Sequence, residues 1–383
     1  MINSTYCNGL FISNYIMRKI LILIICLWVS AETMAQNPRL NSEANALLST
    51  LKALPLKGQT MFGVANGVSR SYNNINAQGG IPGDCRQITG NDPMFVENDF
   101  LLKHDPAFWS AEMVNTRQAQ KKGAVIGYCW HLGGYATGTF RSEEGDRHLA
   151  EKIISKKDSP EKSWYFSLLD TMVTPVFMDL DFPVIFRPFH EMNGNWFWWG
   201  RDNITPEQYI ELYRITVDRL RENGLTNVIM CWSPDTRLAE EYYPGDNYVD
   251  IVGLDVYEPG CSPYHGNEAY GKALNALNDF AVKHNKVAAI SETGLREYEG
   301  VMRYPMEIPD FWSRMVFKPI LERADNYHIS YVMSWYNANW SKNNRGSLYI
   351  PYKGIDEVFG EKGKLAIKDM RKLCKNKRVL FLK

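Results

Sequence analysis

Residues 184–224 read VIFRPFHEMNGNWFWWGRDNITPEQYIELYRITVDRLRENG and divide into three physically different pieces. Val184–Phe189 is a short apolar run of strand length, the signature of a strand covered on both faces. Thr205-Pro206 sets an N-cap followed by a proline in the first helical turn, with Glu207 beside it. Tyr209, Leu212, Tyr213, Val217 and Leu220 then recur at helical spacing, and Gly224 closes the run. Between strand and helix lies a loop dense in aromatic and polar side chains. One such strand–loop–helix unit predicts a parallel sheet covered by helices.

The same alternation runs outward in both directions. Met61–Val64, Met94–Glu97, Ala124–Trp130, Asn227–Trp232, Ile251–Tyr257, Val287–Ser291 and Ser330–Trp335 are further strand candidates, making eight with Val184–Phe189. Glu268–Asn285 places Leu274, Leu277, Phe280 and Ala281 on one helical face, and Phe311–Tyr327 repeats that pattern with Pro319 interrupting it. Eight strand–helix units predict an α/β fold of the (β/α)8 TIM-barrel type. The competing doubly wound sheet usually carries a glycine-rich nucleotide loop after its first strand. Here the first strand runs into Gly63-Val64-Ala65-Asn66-Gly67, which is neither GxGxxG nor a P-loop, so the barrel is the preferred reading.

Composition sets outer limits. The 383 residues carry 43 Lys+Arg against 43 Asp+Glu, with 45% hydrophobic and 22% charged residues. That is ordinary for a folded protein and argues against disorder. Zero net charge offers no field for a polyanion, so no nucleic-acid partner is expected. The 11 Trp, 21 Tyr and 17 Phe exceed what a core requires, and some of them are expected to face a ligand. Met17-Arg18-Lys19, the apolar run Ile20–Val29 and Thr33-Met34-Ala35 read as a basic n-region, an h-region and a cleavage site. Residues 1–35 are therefore expected to be a signal peptide and 36–383 a single catalytic domain, exported to the periplasm or beyond. Ile24-Ile25 stand where small residues would precede a lipidated Cys26. No later segment reaches the roughly 18 apolar residues of a membrane span. Five cysteines remain after position 35, and an odd number leaves one thiol unpaired or bridged to another molecule. Cys129 and Cys231 read as core residues, whereas Cys85 and Cys261 lie in Gly/Pro-rich surroundings where a bridge is conceivable. A monomer is expected.

Function in such a barrel sits at the C-terminal strand ends. Those ends here carry Trp130-His131, Arg187 to Trp199, Trp232-Ser-Pro-Asp235, Asp255-Val-Tyr257, Ser291-Glu292-Thr-Gly294 and Trp335-Tyr336. Glu191 and Glu292 end strands four and seven, roughly opposite across the barrel mouth. Two carboxyl groups reaching inward from there would approach to about 5–6 Å, the spacing of a retaining glycosidase pair. One would attack the sugar C1; the other would protonate the leaving oxygen and then activate water. Sugars suit such a rim, because their C–H faces stack on rings while their hydroxyls need planar polar partners. Of Trp196, Phe197, Trp198 and Trp199, at least one or two are expected to be exposed. Other chemistries fit less well. His190-Glu191 would need His at 194 to make HExxH, and Gly194 stands there. His131 and His190 have no third metal ligand in view. Ser233 and Ser291 lack a GxSxG elbow. No metal and no cofactor are expected.

The segment Arg187-Pro-Phe-His-Glu191-Met-Asn-Gly-Asn-Trp196-Phe-Trp-Trp-Gly200 resembles the acid/base segment of glycoside hydrolase family 26, largely β-1,4-mannanases on a (β/α)8 fold in clan A. The resemblance continues through Trp130-His131, Gly253-Leu-Asp255-Val-Tyr257, Ser291-Glu292-Thr-Gly294 and Trp335, over about residues 55–360. It implies Glu191 as acid/base and Glu292 as nucleophile. It further implies that Tyr257 hydrogen-bonds the nucleophile and that His190 contacts the sugar hydroxyls beside it. Trp335 would form the platform under the sugar, with Trp196 on the leaving-group side and His131 near the C3 hydroxyl. Asp255 and Arg187 would complete the substrate-binding set from a supporting position. The substrate implied is β-mannan or manno-oligosaccharides, cleaved in endo fashion, with 1,3-xylan and mixed-linkage glucan as minority alternatives. After His131 comes Leu-Gly-Gly-Tyr-Ala-Thr-Gly, without the proline often found there, and a mobile Gly133–Gly145 loop is expected. A different class, a non-catalytic exported glycan-binding protein, would keep the tryptophans but not need both carboxylates. A metal-dependent hydrolase would be sensitive to a chelator.

Overall fold

The apolar runs form β1 (Thr60–Ala65), β2 (Phe95–Asp99), β3 (Val125–Trp130), β4 (Val184–Pro188), β5 (Val228–Trp232), β6 (Ile251–Tyr257), β7 (Val287–Gly294) and β8 (Ile329–Ser334). Each pairs in parallel with the next. β8 returns to β1 through Met61↔Tyr331, Phe62↔Val332, Gly63↔Met333 and Val64↔Ser334, so the eight-stranded sheet closes into a barrel. The structure is a computed structural model describing residues 37–74, 82–259, 267–295, 303–323, 328–339 and 347–383. The expected signal peptide and Cys261 lie outside the described residues. Arg39–Lys383 form one compact unit. Among the described residues no helix is long and apolar enough to cross a membrane.

Strand side chains alternate between two faces, and this gives two concentric cores. The outward set, with Phe62, Val96, Tyr128, Phe186, Met230, Leu254, Ile290 and Val332, packs under the surrounding helices. The inward set fills the barrel with Met61, Ala65, Phe95, Ile185, Ile229, Cys231, Ile251, Val287, Ala289, Tyr331 and Met333. The helix Ser42–Leu56 joins this inner core through Ala44, Leu48, Leu51 and Leu54, spaced along one face. Asn41 caps its first turn, and Ser330 hydroxyl donates to the Leu51 carbonyl at 2.8 Å. The helix closes the N-terminal end of the barrel and leaves the C-terminal end for the site.

The helix after β4 spans Pro206–Glu222, and Thr205 and Gln208 satisfy each other's backbone N–H in a capping box. Asn267–Lys283 follows the expected helix closely. The third expected helix differs: Phe311–Phe317 forms a wide π-type turn that passes into a short α-helix, Lys318–Leu321. Pro319 sits in the first turn of the latter, where its missing N–H is harmless. Cys85, Cys129 and Cys231 are buried free thiols.

Candidate active site

The inward parity of the strands carries polar residues at its upper end. Phe95 is followed inward by Glu97 and Asp99, Ile185 by Arg187, Ile251 and Gly253 by Asp255 and Tyr257, Ala289 by Ser291, and Met333 by Trp335. A cavity of about 460 Å³ lies above them, and Glu191, Glu292, His131, His190, Trp196, Tyr257 and Trp335 all line it. Arg187 and Asp255 do not. They are fully buried beneath its floor and act on the site through other side chains.

Glu292 reaches this mouth because of a β-bulge. Leu254 pairs with Ile290, but Asp255 pairs with Glu292, so β7 carries one extra residue. Ser291 points inward to donate to Asp255 Oδ1 at 2.6 Å, and the bulge turns the next residue, Glu292, inward as well. Glu292 Oε1 accepts from Arg187 Nη2 at 2.6 Å and Oε2 from the Tyr257 hydroxyl at 2.6 Å. Glu191 arrives differently. The chain leaves β4 with positive φ at Phe189 (51°) and Glu191 (55°), a strained turn for non-glycine residues. The turn is pinned where Tyr209 donates to Phe189 carbonyl at 3.0 Å, Trp199 to His190 carbonyl at 2.8 Å, and Glu191 N–H to Ser233 carbonyl at 2.8 Å. An oxygen of Glu191 lies within 4.8 Å of one of Glu292.

Arg187 uses its whole fork. Nε and Nη2 hold Glu97 at 3.0 and 2.6 Å, Nη1 holds Asp255 at 3.0 Å and Ser233 at 3.2 Å, and Nη2 also holds Glu292. Burial works against its charge, but the surrounding carboxylates outweigh it and raise its pKa well above the ordinary value. Burial also pushes the carboxyl groups of Asp255 and Glu97 upward, against the pull of Arg187. His190 is held neutral: burial first, and then the neighbouring Arg187, push its pKa well below the ordinary value. Its Nε2 stands 3.9 Å from Glu292 Oε1. His131 packs edge-on to His190 with ring centroids 4.6 Å apart, and its Nδ1 bonds Asp99 Oδ2 at 2.7 Å. Asp99 is buried, yet the His131 contact and two backbone N–H groups hold its pKa below the ordinary carboxylate value.

Of the four consecutive aromatics, Trp198 and Trp199 are fully buried with their N–H groups on the carbonyls of Leu132 and His190. Phe197 is buried as well, though it lines the cavity beside Trp196; of the four, Trp196 alone is partly exposed, fewer open rings than the density of aromatics suggested. Trp196 Nε1 donates to Glu191 Oε2 at 2.7 Å. The Gly133–Gly145 loop is tied down rather than free. Asp146 accepts from Ala136 and Thr137 N–H at 2.8 and 3.1 Å, and Arg141 bridges to Phe197.

Residues 36–344 match the profile of Glycosyl hydrolase family 26. The chain belongs to that family. Among family 26 structures it is similar to a β-mannanase of Bacteroides ovatus, with a TM-score of 0.74 and 26% identity over 89% of this chain and 95% of that one. It is 29% identical over 226 residues to a mannan endo-1,4-beta-mannosidase of Thermothelomyces thermophilus, covering 54% of this chain and 44% of that protein. It is 37% identical over 135 residues to a mannan endo-1,4-beta-mannosidase of Bacillus subtilis strain 168, covering 33% and 34%. In both curated relatives the match spans less than half of the protein's length.

Several lining or supporting residues of this family 26 site were not singled out in the sequence. Glu97 and Asp99 are one group, and their signal was an acidic residue at each of two inward positions ending an apolar strand. Arg141, Ser347 and Tyr349 are another, and they come from loops whose sequence carries no such periodicity.

Proposed function

We propose that this chain is a retaining, endo-acting glycosidase that cleaves β-1,4-mannosidic linkages in mannan and galactomannan by double displacement. Glu292 is the nucleophile and Glu191 the acid/base. The observation that carries this reading is the approach of the two carboxyl groups to within 4.8 Å. Retaining pairs stand about 5–5.5 Å apart, whereas inverting pairs need about 6.5–9.5 Å to admit a water.

The neighbours fit the two roles. Both Glu292 oxygens accept hydrogen bonds, which fixes the direction of the carboxylate for attack on C1. Trp196 N–H can only donate, so Glu191 Oε2 serves as its acceptor and the carboxyl group of the acid/base is held in one direction. In the first step a Glu292 oxygen bonds to C1 as the glycosidic bond breaks and the leaving oxygen takes the Glu191 proton. In the second, Glu191 removes a proton from water, which attacks C1 and releases Glu292. Trp335 offers the sugar a stacking face, and His131 and His190 line the same cavity within reach of its hydroxyls. The names borne by the two curated relatives support mannan as the polymer. Residues 17–35 support export, which N-terminal sequencing of secreted protein would test by finding Gln36 first.

The deciding experiment offers the purified protein linear β-1,4-mannan, 1,3-xylan and mixed-linkage glucan, with products sized over time and the new anomeric centre read by NMR. Release of a spread of oligomers from mannan, with the β-anomer formed first, is expected, and a chelator leaves the rate unchanged. An α-anomer formed first would overturn double displacement. Release from another polymer alone would replace the substrate. No release, with mannan binding intact and Glu292→Ala indifferent, would make the protein a glycan binder.

A further inference from the structure

Asn337 is two residues beyond Trp335, 4% exposed, and all four hydrogen-bonding positions of its amide are filled. Oδ1 accepts from Tyr349 N–H at 2.7 Å and from Ile350 N–H at 3.1 Å. Nδ2 donates to Ile350 carbonyl at 2.8 Å and to Asp84 Oδ2 at 2.8 Å. Asp84 is itself buried and accepts from Tyr72 N–H at 2.7 Å. One residue further on, Ala338 and Ser347 exchange backbone hydrogen bonds of 2.8 and 3.0 Å. One amide thus joins the segment after β8, the segment containing Tyr349, and the short helix Asp84–Thr89 that follows β1.

Tyr349 reaches the cavity from this assembly, beside Ser347. Its ring lies on Gly294, the end of β7, where a Cβ would stand 2.2 Å from the ring. It also meets the Tyr257 ring edge-on, with centroids 6.2 Å apart. Tyr257 holds Glu292 Oε2, and Gly294 follows Glu292 by two residues. Tyr349 therefore backs both the hydroxyl donor and the strand end that carry the carboxylate. Buried amides with every position filled fix geometry strongly, because any displacement leaves a polar group unpaired.

We infer that Asn337 is a positioning residue for glycoside cleavage: anchored on Asp84, it fixes Tyr349 against Gly294 and Tyr257 and so keeps the Tyr257 hydroxyl on Glu292. The inference rests on the reading of Glu292 as nucleophile. Neither Asn337 nor Asp84 lines the cavity.

The test is a double-mutant cycle on the full chain, with kcat and KM measured separately on a linear manno-oligosaccharide. N337A is expected to lower kcat by about tenfold, and Y257F by a similar or larger factor. The double variant is expected to fall no further than Y257F, within about twofold, because both remove the same support. Factors that multiply, or an unchanged kcat in N337A, would overturn the inference. If N337A does not fold, the charge swap decides. N337D sets a second carboxylate against Asp84 and loses kcat. Adding D84N restores a donor–acceptor pair across the same contact and is expected to recover about threefold or more. Absence of recovery counts against the inference. Glu292→Ala run beside the cycle separates the two readings. If it keeps turnover, the nucleophile assignment fails. If it is inactive while the cycle is additive, only the role of Asn337 fails.

Discussion

Arg187 and Glu292 meet in a 2.6 Å hydrogen bond, and the guanidinium has no exposed surface at all. The same fork holds Glu97 and Asp255, so the position of the proposed nucleophile is tied to two carboxyl groups that never see substrate. A buried cation shared among three acids is costly to disturb, since removing it strands charges that water cannot reach.

Arg187→Lys is therefore not conservative here. An ammonium cannot reproduce five directed donors, so at least one of Glu97, Asp255 and Glu292 loses its partner. Breaking such a buried pair costs about 3–5 kcal/mol of stability. A clear fall of the denaturation midpoint is expected, with kcat reduced about 100-fold or more as Glu292 loses its direction. A variant with wild-type kcat would show that Tyr257 alone orients Glu292.

Trp196→Phe removes the N–H on Glu191 Oε2 and keeps a ring at the cavity wall. The loss of one hydrogen bond to the acid/base is worth about 1–3 kcal/mol, or about 5- to 150-fold in kcat/KM on mannan. An aryl mannoside with a good leaving group needs little proton donation and should lose much less. Equal losses on both substrates would mean that Trp196 acts by stacking alone.

Much of this architecture was legible in residues 184–224, because strand burial, capping and helical spacing are local properties. The eight barrel strands were found for the same reason, while the short pieces Asp92–Pro93 and Val379–Leu382 that flank them were not, and Thr205 with Gln208 caps its helix where the sequence placed it. The route of Glu292 was not legible. Simple alternation puts Ser291 and Glu292 on opposite faces, and only the pairing with β6 creates the bulge that turns both inward. Arg187 was read as a supporting residue, but its main partner Glu97 lies 90 positions away, and nothing local links the two. The helix Ser42–Leu56 went unseen because its role, closing the barrel floor, is defined by strand ends distant in sequence.

Gly194→Ala tests how tightly the acid/base turn is built. A Cβ there would stand 2.4 Å from the Trp196 ring, so the indole must move off Glu191. Overpacking of this kind costs about 1–3 kcal/mol. The expected outcome is a fall in kcat/KM similar to that of Trp196→Phe, with tryptophan fluorescence shifted by the displaced ring. Unchanged kinetics would mean that the turn relaxes without moving Trp196.

Glu112 gives the fold a pH dependence of its own. It is fully buried on the helix Pro106–Lys121, with Oε1 accepting from Asn66 at 2.8 Å. Burial pushes its carboxyl from the ordinary 4.5 up to about 8, opposed in part by Arg70 and the Asn66 amide. A raised acid pKa means that the folded protein binds more protons than the unfolded chain between those two values. Stability from this group is therefore greatest at low pH and falls as pH rises from 4.5 to about 8. Glu112→Gln keeps an acceptor for Asn66 and removes the titration. Denaturant midpoints of wild type and variant, compared from pH 5 to 9, should diverge in favour of the variant by about 2–4 kcal/mol at the alkaline end. A difference that stays constant across this range would mean that Glu112 ionises at the same pH in the folded and unfolded chains.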